Sequence, residues 1–246
     1  MRALALLTVF ALTAGCALDA PERVGAHAAP IIDGVASTSA DDSAVWVGVL
    51  TADGYPQGSC SGVLLAENVV LTARHCVART ADGGIACSRD GTPIAGGGVL
   101  SDYAAGKLAI VTGPTMSGRA AARGQQVFTT GSKNLCNNDI AIIVLDRNIE
   151  GAQIAPVRLA SPPVKGETIL AVGWGVSNNS SRYGRRRRAD IPIVAVGPFS
   201  SSTVGSVGPA EFSIGEGICS GDSGGPAYSM TTGAVLGVVS RGGNGA

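Results

Sequence analysis

Histidine is scarce in this chain: its 246 residues include two, His27 and His75. A lone histidine is more often structural than catalytic, so His75 needs neighbours before it has a role. Charge is scarce too. Eighteen Lys and Arg balance 18 Asp and Glu, 15% of residues are charged, and the formal net charge is zero. The basic face that a nucleic-acid binder presents is missing, and no nucleic-acid partner is expected. No long acidic or basic tail is present. No cysteine pair has the short spacing of a zinc site, and neither a metal nor a cofactor is expected. No long stretch keeps a helical period, and no internal repeat is evident.

One extended apolar stretch, Ala3 to Ala14 behind Arg2, is too short to cross a membrane as a permanent helix. It reads as a targeting segment covering residues 1–16. Its end, "LTAGC" at Cys16, resembles a bacterial lipobox with Thr13 where leucine is usual. An ordinary signal-peptidase cut nearby is the rival reading. Either route exports the protein and lets its cysteines oxidise. Membrane contact would then rest only on a lipid carried by Cys16. Residues 17–30 read as a linker or pro-segment.

Glycine is plentiful, at 36 residues, and punctuates short β-branched runs. These include "VWVGVL" (Val45 to Leu50), "SGVLL" (Ser61 to Leu65), "VVLT" (Val69 to Thr72), "DIAIIVL" (Asp139 to Leu145), "TILAVG" (Thr168 to Gly173), "IPIVAV" (Ile191 to Val196) and "AVLGVVS" (Ala234 to Ser240). The pattern predicts an all-β sandwich or barrel. The length fits one large all-β domain or two small ones. "GRRRR", Gly184 to Arg188, reads as a solvated surface loop, with a proteolytic nick site or an anion-binding patch as sharper readings.

Three stretches could carry chemistry. "LTARHCV", Leu71 to Val77, sets His75 beside a cysteine at the end of an apolar run. "NNDIAIIVL" opens an apolar strand with Asp139, which taken alone reads as a turn aspartate; the sharper reading is a carboxylate that would be partly buried and would need a partner. "GICSGDSGGPA", Gly217 to Ala227, places Ser223 on a glycine-rich turn whose N–H groups can converge on one point, as an oxyanion requires.

Together the three resemble the trypsin/chymotrypsin family of serine proteases, in which the order is His, Asp, Ser. "IIDG" at Ile31 resembles that family's mature N-terminus, and "GWG" at Gly173 to Gly175 a common marker between its barrels. The resemblance covers residues 31–246 and implies two six-stranded antiparallel Greek-key barrels with the active site between them. It implies an exported, monomeric endopeptidase acting on proteins or peptides. His75 would be the general base, Asp139 its orienting carboxylate and Ser223 the nucleophile, with the N–H groups of Gly221 and Ser223 as the oxyanion hole. A new N-terminus at Ile31 would pair with Asp222. Cys60 would bridge to Cys76, and Cys87 and Cys136 would form the remaining disulfide. On chain-entropy grounds these closures are worth about 3 and about 4 kcal/mol.

Departures from the family pattern matter as well. Arg74 replaces a small alanine and must reach solvent or find a carboxylate. Arg241 replaces a tryptophan in the substrate-binding segment Ser240 to Gly242. Gly217 stands where trypsin-like members carry the aspartate that holds a substrate lysine or arginine. With Gly217, Ile218, Ser240 and Gly242 as its walls, the pocket should prefer small or medium apolar side chains. The family's further strand, later cysteine and C-terminal helix do not follow Ser223, so the sequence reads as truncated, with Cys219 lacking its usual partner.

Overall fold

A computed structural model of the protein describes Ile31 and residues 34–81, 83–116, 119–175 and 184–242. The expected targeting segment, Cys16 and the linker to Pro30 lie outside the described residues. Six strands close into a barrel. In spatial order they are Ala122–Thr129, Ala141–Leu145, Val69–Thr72, Pro56–Ala66, Ala44–Leu50 and Leu108–Val111. A second six-stranded sheet runs Val35–Ala36, Arg186–Val196, Thr168–Gly173, Pro226–Ser229, Val235–Val238, with Phe212–Ile214 also on Arg186–Val196. The two β-units match the expected architecture. The second stays open among the described residues, with Val235–Val238 at its edge.

All seven residues of Ala44–Leu50 are buried, because both faces of the strand are covered. Val45, Val47 and Val49 fill the barrel interior with Leu64, Val70, Ile110 and Ile143. Ala44, Trp46 and Leu50 join a layer that also holds Val172, Trp174, Tyr228 and Val235 of the second unit. That double burial explains a continuous apolar run in place of an alternating one. Ile31 is 1% exposed and packs with Ile169, Ile191 and Ile193 in the second unit. Burying such a side chain contributes about 2 kcal/mol and draws the start of the domain inward.

The arginine run is not a solvated loop. Arg186, Arg187 and Arg188 begin the strand Arg186–Val196, and Arg185 just before it has a fully buried side chain. Its guanidinium donates to Ser37 Oγ at 2.9 Å, the Ala44 carbonyl at 3.0 Å and the Thr38 carbonyl at 2.9 Å. It also pairs with Asp42 and lies 5.6 Å from the Trp174 ring centroid. Arg186 donates to the Gly34 carbonyl, and Arg187 pairs with buried Asp41 at 3.3 Å. Residues 34–44, far away in sequence, supply the acceptors that a local reading of "RRRR" cannot see.

Candidate active site

Strand register brings two of the expected residues together. Thr72 pairs with Ala141. His75 follows Thr72 by one short turn, Arg74–Cys76, and Asp139 stands just before Ala141. The Cys60–Cys76 disulfide ties this turn to the strand Pro56–Ala66. Cys87–Cys136 anchors the loop that leads to Asp139. Both bridges agree with expectation; Cys219 is outside both and donates its N–H to Asp222.

The side chain of Asp139 is 3% exposed and takes three hydrogen bonds. Oδ1 accepts the backbone N–H of His75 at 2.9 Å, and Oδ2 bonds the ring Nδ1 at 2.8 Å. Ser240 Oγ adds a third bond to Oδ2 at 2.6 Å. Because the carboxylate can only accept, the ring proton sits on Nδ1, and a neutral imidazole keeps its lone pair at Nε2. His75 itself remains 21% exposed, open to a reacting group.

Ser223 sits on a turn locked from several sides. The N–H of Asp222 donates to the Cys219 carbonyl at 3.1 Å, that of Gly225 to the Asp222 carbonyl at 2.8 Å, and that of Gly224 to the Val239 carbonyl at 2.7 Å. The Ser223 carbonyl accepts the Ser61 N–H at 2.7 Å and lies 3.6 Å from the Cys76 sulfur. The serine turn therefore rests on the disulfide beside His75. Gly224 has a φ of +77°, and a Cβ there would come within 2.1 Å of Thr72 Oγ1. Only glycine fits both that conformation and that approach. Among the described residues no hydrogen bond is made by the N–H of Gly221 or of Ser223.

Ser61 escapes the sequence reading. It is fully buried, its Oγ donates to the Gly221 carbonyl at 3.0 Å, and it accepts the Trp174 N–H at 3.0 Å. One signal was available: a serine amid the apolar run "CSGVLL" has to satisfy a hydroxyl somewhere. Ser240, one of the residues expected at the specificity pocket, donates its hydroxyl to Asp139 Oδ2.

Asp222 is 1% exposed. Its Oδ1 accepts the Gly175 N–H at 2.7 Å and its Oδ2 the Cys219 N–H at 2.9 Å. Burial pushes its pKa up to about 7, against the opposing pull of N–H donors from Cys219, Gly175 and Ile31. The nitrogen of Ile31 is thus beside this carboxylate, and no cation pairs with it among the described residues.

The specificity residues divide. Gly217 is buried, and a Cβ there would lie 2.7 Å from Ile191 Cδ1 and 3.4 Å from Arg188 Cδ. Ile218 packs in the same cluster as Ile191 and Ile31. Gly242 is exposed, with open space among the described residues where a Cβ would stand, and Glu216 is exposed. Arg74 finds its carboxylate in Asp102, but it is buried rather than reaching solvent. Cys60, His75 and Cys76 hold ligand atoms within 4.8 Å of one another. Their sulfurs are joined in a disulfide, so neither is the thiolate a metal would take. A recess of about 570 Å³ on the first barrel, with Trp46, Met116 and Arg123 in its wall, shares no residue with this group.

A family profile described as Trypsin matches residues 32–246. Trypsin alpha-4 of Lucilia cuprina is 29% identical over 221 residues, 86% of this chain and 77% of that protein. Trypsin alpha of Drosophila melanogaster is 28% identical over 194 residues, covering 75% and 68%. Among solved structures, the VesB protease of Vibrio cholerae superposes with a TM-score of 0.58 at 24% identity. That match covers 86% of this chain and 60% of VesB. The scabies mite inactivated protease paralogue S-D1 superposes at 0.59 with 19% identity, covering 86% of each chain. At those identities the two structures speak for the fold alone. The profile, by contrast, takes in nearly every described residue, and by it this chain belongs to the trypsin family of serine proteases.

Proposed function

We propose that the protein is an exported serine endopeptidase with Ser223 as nucleophile, His75 as general base and Asp139 as the carboxylate that orients the ring. The observation that carries this reading is the double grip of Asp139 on His75, through its backbone N–H and its Nδ1. The base then faces outward through Nε2. It takes the Ser223 hydroxyl proton as Oγ bonds to the substrate carbonyl carbon. The carbonyl oxygen, now anionic, takes the N–H groups of Gly221 and Ser223. The imidazolium, stabilised by Asp139, gives the proton to the leaving amine, and the C–N bond breaks to an acyl-enzyme. Water repeats the sequence, with His75 as base again, and releases the acid.

Two refinements belong to the same proposal. With Gly217 and Ile218 at the pocket and Glu216 exposed, a buried substrate cation would meet no counter-charge and would lose its hydration unopposed. Small or medium apolar side chains suit the site better, and dominant cleavage after Lys or Arg would refute that. Cleavage before Ile31 would turn its N–H into an ammonium beside Asp222, giving the buried carboxylate its missing partner and ordering the oxyanion loop. The alternative is an inactive, protease-fold binding protein, since this fold also serves an inactivated paralogue in the scabies mite. All three catalytic residue types are present here, which favours the enzyme.

Peptide hydrolysis tests the reading. Alanine at Ser223, His75 or Asp139 should each cut kcat by about 10⁴- to 10⁶-fold, without multiplying in combination. A triple variant much slower than Ser223→Ala would show that the three do not act as a unit.

A further inference from the structure

Asp139 takes donors from both β-units. His75 comes from the first barrel, whereas Ser240 follows the last strand of the second sheet. Something has to keep the Ser240 hydroxyl in register with a carboxylate carried by the other unit. The residues flanking that bond converge on a single side chain, Glu211. Arg241, next to Ser240, grips Glu211 with both terminal guanidinium nitrogens: Nη1 to Oε1 at 2.8 Å and Nη2 to Oε2 at 2.7 Å. Asn137, two residues before Asp139, donates its N–H to Glu211 Oε1 at 3.1 Å. The N–H of Gly208 adds a fourth bond to Oε2 at 3.0 Å. Asn137 Oδ1 in turn accepts the Ala210 N–H at 3.1 Å, fastening the Glu211 turn to the Asp139 loop a second time.

These links close a ring: Asp139 to Ser240, along the chain to Arg241, across to Glu211, over to Asn137 and back along the chain to Asp139. We propose that Glu211 is a positioning residue for the reaction, holding Ser240 and Asp139 in register across the two β-units through its ion pair with Arg241. The proposal rests on the protease reading above. The side chains of Arg241 and Glu211 are 19% and 16% exposed, so the pair is mostly desolvated and removing one partner matters. Burial alone would raise the pKa of Glu211. The bonds from Arg241, Gly208 and Asn137 outweigh it and hold the carboxyl below its ordinary value, so the brace stays ionised at neutral pH.

The two ends of the brace should fail differently. Arg241→Met opens the ring and leaves Glu211 on its backbone donors. Glu211→Gln opens it and also frees a guanidinium one residue from Ser240, where it competes with His75 for Asp139. Kinetics on peptide substrate, normalised to active sites by fluorophosphonate titration, should show kcat for Glu211→Gln down by about 100-fold with KM within twofold. Arg241→Met should lose less. The double variant should recover to the level of Arg241→Met, because the stray cation is gone. The Nδ1 proton of His75, followed by NMR, should shift upfield or broaden in Glu211→Gln. A purely structural role would lower the fraction of active sites and leave kcat per site and the proton signal unchanged. That result would overturn the proposal, as would singles that simply multiply in the double. If Glu211→Gln does not fold, Arg241→Met with the same two readouts decides alone. Should the parent protein neither hydrolyse peptide nor react with the probe, the protease reading itself fails, a result distinct from either of these.

Discussion

Asp222 is a carboxylate with N–H donors and no cation among the described residues, and burial that pushes its pKa up to about 7 makes a pH signature. In the unfolded chain it titrates at its ordinary value of 3.8. Between that value and about 7 the folded, uncut chain holds a proton that the unfolded chain has lost. Stability conferred by the protonated form is full below the lower value, falls as pH rises through the window, and levels off above about 7. Urea titrations of a chain extending upstream of Ile31 should show that fall. A chain beginning at Ile31 should not, because its ammonium favours the ionised carboxylate. Identical pH profiles for the two would count against the pairing.

Ser61 gives a second test at the same scale. Ser61→Ala leaves the buried Trp174 N–H and Gly221 carbonyl without their shared hydroxyl and should lower stability by about 1–3 kcal/mol. An unchanged urea midpoint would show that the hydroxyl is not shared. His75, Asp139 and Ser223 are legible in sequence because each sits in a run whose neighbours serve it locally. Ser61 and Glu211 are not. Their partners lie 160 and 30 residues away in Gly221 and Arg241; the apolar run around Ser61 says that its hydroxyl needs a partner but not which one.

Among the elements, strands such as Val69–Thr72 and Thr168–Gly173 stand where the apolar runs put them. "IPIVAV" predicts only the second half of Arg186–Val196. The first half opens with three arginines, whose strand conformation is set by pairing with Thr168–Gly173 and Val35–Ala36 and by side-chain acceptors in residues 34–44 rather than by propensity. Arg185 is the keystone of that clasp. Arg185→Met should cost about 3 kcal/mol, the low end for a broken buried ion pair, since Asp42 can rehydrate. Amide exchange should accelerate across residues 35–44 and not in the strand Ala141–Leu145. Uniform acceleration across the whole domain would mean that the arginine does not act as a local clasp.

For the whole molecule, the layer of Trp46, Val63 and Leu71 against Val172, Trp174 and Tyr228 joins the two β-units. The Ser43–Tyr228 hydroxyl bond at 2.7 Å crosses the same boundary. The candidate site straddles it, with His75 and Asp139 on one side and Ser223 and Ser240 on the other. If the site is catalytic, these residues together make one serine reactive. A fluorophosphonate probe with mass-spectrometric mapping, applied to protein whose chain begins at Ile31, measures that directly. Modification confined to Ser223, and abolished by His75→Ala, is the predicted result. An unmodified Ser223 in folded protein with both disulfides intact would contradict it.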